Sequence, residues 1–283
     1  MPNPPYEFSS LAEIASEPTA ESPAAATVPV VTLHGVVKRF ANSTLALDQL
    51  NLAIRNGEFV SLLGPSGCGK STALRLIAGL AAPTGGSISW GCAQRNARRR
   101  NKPEVGFVFQ EPTLMPWATV FRNVMLPLEL EGVERGTATS RVMQALEQVG
   151  LTAFRDAYPR ELSGGMKMRV SIARALVTDP PLLLMDEPFA ALDEITRFRL
   201  NNDLLKLWQE AGHTVIFVTH SVFESVYLSN RIVVLTPRPG RLFTELIVDA
   251  SYPRDESFRT SAEYAYHCRI ASQALSRAMG GQP

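Results

Sequence analysis

The sequence feature that most constrains the fold of this chain is a glycine-rich stretch at residues 64–72. It reads GPSGCGKST and matches G-x-x-x-x-G-K-[ST], the pattern of phosphate-binding loops, at every fixed position. An apolar run at residues 59–63 precedes it and predicts a buried strand, and residues 73–78 predict a helix. The stretch therefore has the strand–loop–helix context that a phosphate-binding loop needs.

The residue types in this loop predict contacts with a nucleoside triphosphate and with Mg²⁺. Glycines let the backbone turn tightly and point its N–H groups inward, and the following helix adds the positive end of its dipole. We expect Lys70 to hold the β- and γ-phosphates and the Ser71 hydroxyl to bind Mg²⁺. The residues predicted to bind the nucleotide here are Gly64, Pro65, Ser66, Gly67, Cys68, Gly69, Lys70, Ser71 and Thr72.

Two acidic residues, Asp186 and Glu187, follow an apolar run at residues 182–185. In open α/β sheets, ligands bind at the carboxyl edge of such strands. Asp186 is predicted to hold Mg²⁺ through water, and Glu187 to polarise an attacking water as a general base. The alternative is a carboxylate pair that caps the next turn, which is less favoured because two acids ending an apolar strand are costly without a cation.

Two further polar residues follow core strands. His220 comes after an apolar run at residues 215–218, beside the predicted phosphate site, and is interpreted as a catalytic residue. Gln110 ends another apolar strand, where its amide could bind Mg²⁺ or the attacking water. From the residues alone, a role for Gln110 in catalysis and no such role are equally supported.

A second glycine-rich helix start lies at residues 162–166, with the sequence LSGGM. Ser163 is a good N-cap, and Gly164 and Gly165 expose backbone N–H groups to an anion. Simple helix capping is the alternative. Because one nucleotide already has its own phosphate loop, this second site suggests a nucleotide held by another copy of the chain.

The apolar runs also indicate the fold class. Continuous apolar segments are typical of parallel strands covered on both faces, whereas residues 111–179 predict mainly helix. The chain therefore predicts an α/β core interrupted by a helical insert of roughly 65 residues. Residues 1–29, rich in alanine and proline, are interpreted as a disordered tail.

Taken in order, these motifs resemble those of the ATP-binding subunits of ABC transporters. The phosphate loop, Gln110, LSGGM, LLLMDE, ALD at residues 191–193 and His220 occur over about residues 30–245. The resemblance implies a P-loop NTPase core with an N-terminal antiparallel β portion and an inserted helical subdomain. It places the ATPase domain at residues 30–250, the helical subdomain at about 112–178, and a C-terminal helical tail at 251–283. This tail is expected either to pack in a dimer or to cap the domain.

The same resemblance implies ATP and Mg²⁺ as cofactors and a head-to-tail homodimer with two ATP sites. Ser163, Gly164 and Gly165 of one copy would face the phosphate loop of the other, with Asp193 near the interface. Phe40 would stack on adenine, His220 would touch the γ-phosphate, and hydrolysis would drive membrane partners. Three positions depart from the usual family pattern without removing a catalytic group, namely Phe40 for tyrosine, Met166 for glutamine and Ala190 for serine.

Residues 109–117 and 231–241 are similar to those of nitrate, sulfonate and taurine importer subunits. This branch implies integral membrane permease subunits, an indirect solute-binding protein, and a position at the cytoplasmic face of the inner membrane. Residues 114–117 would then lie near the face that receives the membrane subunit. A role of Trp117 in the core is an equally supported alternative.

The charge of the chain argues against a nucleic-acid partner. Its formal net charge is +1, and the basic run at residues 95–102 is interpreted as a solvated loop because no aromatic residues interrupt it. A soluble ABC-type ATPase that acts on nucleic acid or ribosomes is the main alternative function. A phosphotransferase and an inactive scaffold are weaker alternatives, since the first leaves LSGG unexplained and the second leaves the intact catalytic residues unexplained.

Overall fold

A computed structural model describes residues 29–91 and 104–280 of the chain. The strands are β1 (Val31–Arg39), β2 (Leu45–Ile54), β3 (Phe59–Leu63), β4 (Gly85–Trp90), β5 (Val105–Val108), β6 (Leu182–Asp186), β7 (Thr214–Thr219), β8 (Arg231–Leu235) and β9 (Leu242–Ile247). The helices are α1 (Lys70–Ile77), α2 (Val120–Leu130), α3 (Arg135–Gln148), α4 (Gly164–Leu176), α5 (Glu194–Ala211), α6 (Val222–Leu228), α7 (Glu256–Arg259) and α8 (Ala262–Ala278). Two short 3₁₀ helices, Thr152–Phe154 and Pro159–Glu161, lie between α3 and α4.

The smaller sheet is antiparallel and has the strand order β2-β1-β4. The alternation in β2 follows from its sequence, because Leu50, Leu52 and Ile54 are buried while the residues between them face outward. These side chains pack with α1 and one face of the larger sheet into a single apolar cluster. The predicted antiparallel β portion is confirmed.

The larger sheet has the order β5-β6-β7-β3-β8-β9, and all neighbours are parallel except β8 and β9. Strands β3, β6, β7 and β8 are buried at every position, as expected for strands covered on both faces. In the β6–β7 ladder, Asp186 is level with Val218. The carboxyl ends of β3, β6 and β7 therefore meet at one edge of the sheet.

Strand β9 was not anticipated from the sequence. It pairs with β8 in antiparallel register and alternates between partly buried and exposed residues. An edge strand with one solvated face carries a weaker apolar signal than the core strands. Apart from this additional edge strand, the predicted P-loop NTPase core is confirmed.

Helices α2, α3 and α4 follow β5 and pack on one another through Val124, Val142, Leu146 and Val170, which are all buried. This is the segment predicted as a helical insert. At the other end of the chain, α8 packs on α6, β8 and β9 and buries Tyr264, Cys268, Ala271 and Ala274. The apolar face of α8 is thus covered by its own chain, as expected if this helix caps the domain.

Arg254 fastens this C-terminal part to the core. Its buried guanidinium donates hydrogen bonds to five backbone carbonyls and stacks 4.1 Å from the Tyr252 ring centroid. The carbonyls belong to Val226, Tyr227, Ser229, Val248 and Ala250.

Two predicted segments, the tail up to residue 28 and the basic run at residues 95–102, lie outside the described residues. Across the described ranges, no helix is long and apolar enough to span a bilayer.

Candidate nucleotide-binding site

The glycine-rich loop connects the carboxyl end of β3 to the first residue of α1, Lys70. Gly67 has φ +74° and Gly69 has φ +109°, both in the left-handed region that favours glycine. Gly69 also lacks room for a side chain, since an added Cβ would lie 2.7 Å from the carbonyl oxygen of Ala46. The chain therefore turns tightly here, and α1 begins with its free N–H groups directed at the loop.

Lys70 extends across the loop with its side chain 4% exposed. Its ammonium donates hydrogen bonds to the carbonyl oxygens of Gly64 at 2.8 Å and Pro65 at 3.1 Å. The same nitrogen lies 3.7 Å from Oε1 of Glu187. One positive charge is thus held between the phosphate-binding loop and the carboxyl end of β6.

The Ser71 hydroxyl donates a 2.7 Å hydrogen bond to Oδ1 of Asp186. Burial raises the pKa of Asp186, and the bond from Ser71 opposes this rise. A desolvated carboxylate beside a hydroxyl is a fitting place for a hard cation, whose charge would favour the ionised form. Mg²⁺ commonly takes only one or two protein carboxylates and completes its shell with phosphates and water. In the described parts of the chain there is no cluster of three or more His, Cys, Asp or Glu residues that could hold a metal.

Glu187 and His220 meet at the ends of the adjacent strands β6 and β7. Nδ1 of His220 lies 3.1 Å from Oε2 of Glu187. The backbone of Glu187 has φ +45°, in the left-handed region, and its N–H donates to the carbonyl of Val218 at 3.0 Å. Such a conformation costs a non-glycine residue about 1–2 kcal/mol, and it directs the carboxylate toward Lys70 and His220.

Sequence reasoning missed a network behind His220. The Thr219 hydroxyl donates to Oε2 of Glu224 at 2.5 Å, and Oε1 of Glu224 lies 3.7 Å from Nε of Arg197. Arg197 in turn donates to the carbonyl of Leu192, next to Asp193, at 2.9 Å. Burial raises the pKa of Glu224. The spacing of Ser221 and Glu224, which fits a capping box, was the available signal.

The LSGG and ALD segments form a second, exposed cluster. Ser163 caps α4 by accepting from the N–H of Met166, and Asp193 caps α5 by accepting from the N–H of Thr196. Hydrogen bonds from the backbone N–H and the side chain of Thr196 hold the pKa of Asp193 below its usual range. Gly165 packs so closely on α5 that an added Cβ would lie 2.7 Å from Cγ2 of Thr196.

Phe40 and Gln110 lie apart from these contacts. Phe40 is 45% exposed, with the ammonium of Lys38 5.6 Å from its ring centroid. Gln110 is exposed, two residues beyond the end of β5. Within residues 29–91 and 104–280, neither hydrogen-bonds to the side chains of Lys70, Asp186 or Glu187. Their roles stay predictions.

Trp117 is 77% exposed, so the alternative that it packs in the core is wrong. The loop that carries Trp117 is hydrogen-bonded to the side chain of Asn123, which is fully buried. The Asn123 amide accepts from the N–H of Met115 and donates to the carbonyls of Met115, Ala118 and Thr119. The backbone on both sides of the exposed Trp117 is therefore hydrogen-bonded to one buried side chain.

Comparison with known protein families gives a match to the ABC transporter family over residues 47–190. An uncharacterized ABC transporter ATP-binding protein of Methanocaldococcus jannaschii is 50% identical over 223 residues, which are 79% of this chain and 81% of that protein. An aliphatic sulfonates import ATP-binding protein of Bacillus licheniformis is 45% identical over 216 residues, which are 76% of this chain and 82% of the relative.

Solved structures give the same result. A dimeric bacterial ABC transporter cassette matches with a TM-score of 0.66 and 34% identity, over 78% of this chain and all of that one. The same cassette in a post-hydrolysis state, bound to ADP and phosphate, matches equally well. The family match over residues 47–190 contains the phosphate-binding loop with Lys70 and the end of β6 with Glu187.

Proposed function

The chain belongs to the ABC transporter family as an ATP-binding subunit, and from that premise we propose that it hydrolyses ATP to power import of a small anionic or organic solute. The observation that carries the catalytic part is the convergence of Lys70, Glu187 and His220. The Lys70–Glu187 and Glu187–His220 distances are 3.7 and 3.1 Å. A cation, a carboxylate and an imidazole are thereby set beside a loop built for phosphates.

Each of these groups has a proposed role. Lys70 and the backbone N–H groups of the loop bind the β- and γ-phosphates and stabilise the charge that spreads over the transferred group. Glu187 accepts the proton of the attacking water. His220 orients Glu187 through their contact and reaches the γ-phosphate. Gln110 is proposed to bind Mg²⁺ or the attacking water, and Phe40 to stack on the adenine.

Ser71 and Asp186 are the residues that would hold Mg²⁺. When bound, this ion neutralises charge between the β- and γ-phosphates. Ser71 would offer its hydroxyl oxygen to the ion, and Asp186 would hold it through water. The raised pKa of Asp186 is the cost of keeping that carboxylate desolvated where a cation is needed.

We propose a head-to-tail dimer as the active form. The exposed N-terminus of α4, with Ser163 and Gly164, carries N–H groups but belongs to a different surface cluster from the phosphate loop. A second copy would bring these groups to the nucleotide, with Asp193 beside them. The dimeric state of the matched cassette supports this arrangement.

We propose that the loop carrying Trp117 contacts an integral membrane permease at the cytoplasmic face of the inner membrane. An aromatic side chain that is 77% exposed and anchored from below is a suitable contact for such a partner. A sulfonate-type solute, delivered by a solute-binding protein, is supported by the identity to the Bacillus relative. The alternative of a soluble ATPase acting on nucleic acid or ribosomes has no support from the comparisons.

The catalytic assignment is tested with Glu187→Gln, measuring phosphate release and MgATP binding. We expect turnover to fall by at least about a hundredfold while binding is kept. Glu210→Gln, at the exposed far end of α5, is the matched control and should turn over normally. Retained turnover in Glu187→Gln would remove Glu187 as the base.

The partner assignment is tested by capture from solubilised membranes of cells that express the tagged chain and its Trp117→Ala variant. We expect the parent chain, and not the variant, to bring along a protein with many membrane spans. Ribosomal proteins or DNA, with no membrane protein, would contradict the importer proposal.

A further inference from the structure

The turn at residues 236–241, between β8 and β9, is not used by the proposed function. Its sequence, TPRPGR, is similar to that of importer subunits. The turn closes on itself, because the Thr236 hydroxyl donates to the carbonyl of Pro239 at 2.9 Å and accepts from the N–H of Arg241 at 3.0 Å. It is a fixed loop with defined hydrogen bonds.

The same turn is fastened to the smaller sheet. The N–H of Gly240 donates to the carbonyl of Ala46 at 2.9 Å, and the N–H of Asp48 donates to the carbonyl of Gly240 at 3.1 Å. Arg241 forms an ion pair with the Asp48 carboxylate on the outside. Residues 236–241 therefore have support from β2 as well as from their own strands.

From this position the turn touches two successive peptide groups of the phosphate-binding loop. Nε of Arg238 donates to the carbonyl of Gly67 at 3.0 Å. Gly240 abuts the next carbonyl so closely that an added Cβ would lie 2.2 Å from the oxygen of Cys68. Both carbonyls of this part of the loop are thus turned toward residues 236–241.

The orientation of a carbonyl fixes that of the N–H in the same peptide. In a planar trans peptide the two point in opposite directions. With the Gly67 and Cys68 carbonyls facing the turn, the N–H groups of Cys68 and Gly69 face the interior of the loop. The Cys68 N–H indeed points across the loop at the carbonyl of Pro65, 3.3 Å away. In these two peptide groups the N–H faces inward and the carbonyl outward, which is the orientation that binds an anion.

We propose that residues 236–241 form a rigid backing for the phosphate-binding loop and that Arg238 is a positioning residue for the nucleotide phosphates. Arg238 holds one peptide group in the orientation that binds anions and adds a positive charge at the rim of the loop. This inference rests on the proposed nucleotide site. It predicts that the turn raises the affinity of the chain for nucleotide.

The test is calorimetric titration of the full chain with MgADP, comparing Arg238→Ala with Arg241→Ala. Arg241→Ala is the matched control, because it removes an arginine of the same turn that contacts Asp48 and not the phosphate loop. We expect Arg238→Ala to raise the Kd about three- to tenfold, the size of effect of one exposed hydrogen bond of ordinary strength. Arg241→Ala should stay within about twofold, and Arg238→Lys, which keeps a donor, should be intermediate.

Further readouts separate positioning from a general loss of structure. Because the effect acts on phosphates, the Kd for MgGDP should rise by the same factor in Arg238→Ala. Hydrogen exchange of the loop amides, measured without nucleotide, should quicken in Arg238→Ala and not in Arg241→Ala. An unchanged Kd for Arg238→Ala, or an equal loss in both arginine variants, would overturn the inference.

The variant Lys70→Ala distinguishes a failure of the proposed nucleotide site from a failure of the proposed role of Arg238. If Lys70→Ala loses MgADP binding and Arg238→Ala does not, the nucleotide site stands and the backing role fails. If Lys70→Ala still binds normally, the proposed nucleotide site itself is wrong.

Discussion

The buried amide of Asn123 provides a prediction whose size can be worked out from its contacts. In Asn123→Leu the volume of the side chain is kept and its four hydrogen bonds are lost. The carbonyls of Met115 and Thr119 retain other backbone donors, from Ala118 and from residue 123 itself, so we assign them about 0.5 kcal/mol each. The N–H of Met115 can turn to water at about 1 kcal/mol.

The fourth partner, the carbonyl of Ala118, is buried, and losing its bond to Asn123 adds about 1–3 kcal/mol. The expected cost of Asn123→Leu is therefore about 3–5 kcal/mol of the free energy of unfolding. This is a large share of the stability of a typical domain, which is about 5–15 kcal/mol. Urea unfolding followed by circular dichroism measures the change as a shift of the midpoint.

Asn201 offers a control of the same residue type and the same burial. It is fully buried on α5, and within the described part of the chain neither atom of its amide has a hydrogen-bond partner. Asn201→Leu should therefore leave stability unchanged or raise it by about 1 kcal/mol. The reasoning is refuted if the two leucine variants change stability equally, or if Asn123→Leu costs less than about 1 kcal/mol.

Three shorter predictions follow from other contacts. Gly165→Ala should lower the free energy of unfolding by about 1–3 kcal/mol, because the added methyl clashes with the Thr196 methyl. Adding Thr196→Ser removes that methyl and should restore the thermal midpoint. A double variant as unstable as Gly165→Ala alone would contradict the clash. Because burial raises the folded pKa of Glu224, the fold favours its neutral form, and this contribution is lost as pH rises above about 4.5. Glu224→Gln should thus gain stability relative to the parent as the pH is raised from about 4.5, whereas parallel pH curves would exclude this titration. Arg254→Met should cost about 3–5 kcal/mol in urea unfolding by leaving five carbonyls without this donor, while exposed Arg269→Met should change stability by less than about 0.5 kcal/mol.

The central site was predictable because its signals are local. The loop pattern around Lys70 is contiguous, and Glu187 and His220 each follow a continuous apolar run. Parallel strands bring their carboxyl ends to one edge, so three separate segments could be assigned to one place without any knowledge of contacts.

The features that were missed depend on contacts between distant parts of the chain. No spacing rule connects Arg238 with Gly67, which lie 171 residues apart, or Arg197 with Glu224. The exposure of Trp117 could not be decided, because a tryptophan among apolar neighbours is equally typical of a core and of an interface. In the structure Trp117 is exposed, and the loop that carries it is held by side-chain hydrogen bonds from Asn123 to Met115, eight residues away.

The parallel register of β6 and β7 makes the proposed catalytic pair depend on the number of residues in each strand. With Asp186 level with Val218, Glu187 comes one residue after that paired position and His220 two residues after it. A strand advances about 3.3 Å per residue, and successive side chains point to opposite faces. Inserting or deleting one residue in either strand would therefore displace one member of the pair by a full residue and turn it to the other side of the sheet. An exchange of valine for isoleucine in the same strand leaves both side chains where they are. In strands β6 and β7, the geometry of the proposed catalytic pair therefore depends more on the number of residues than on which apolar residues fill the strands.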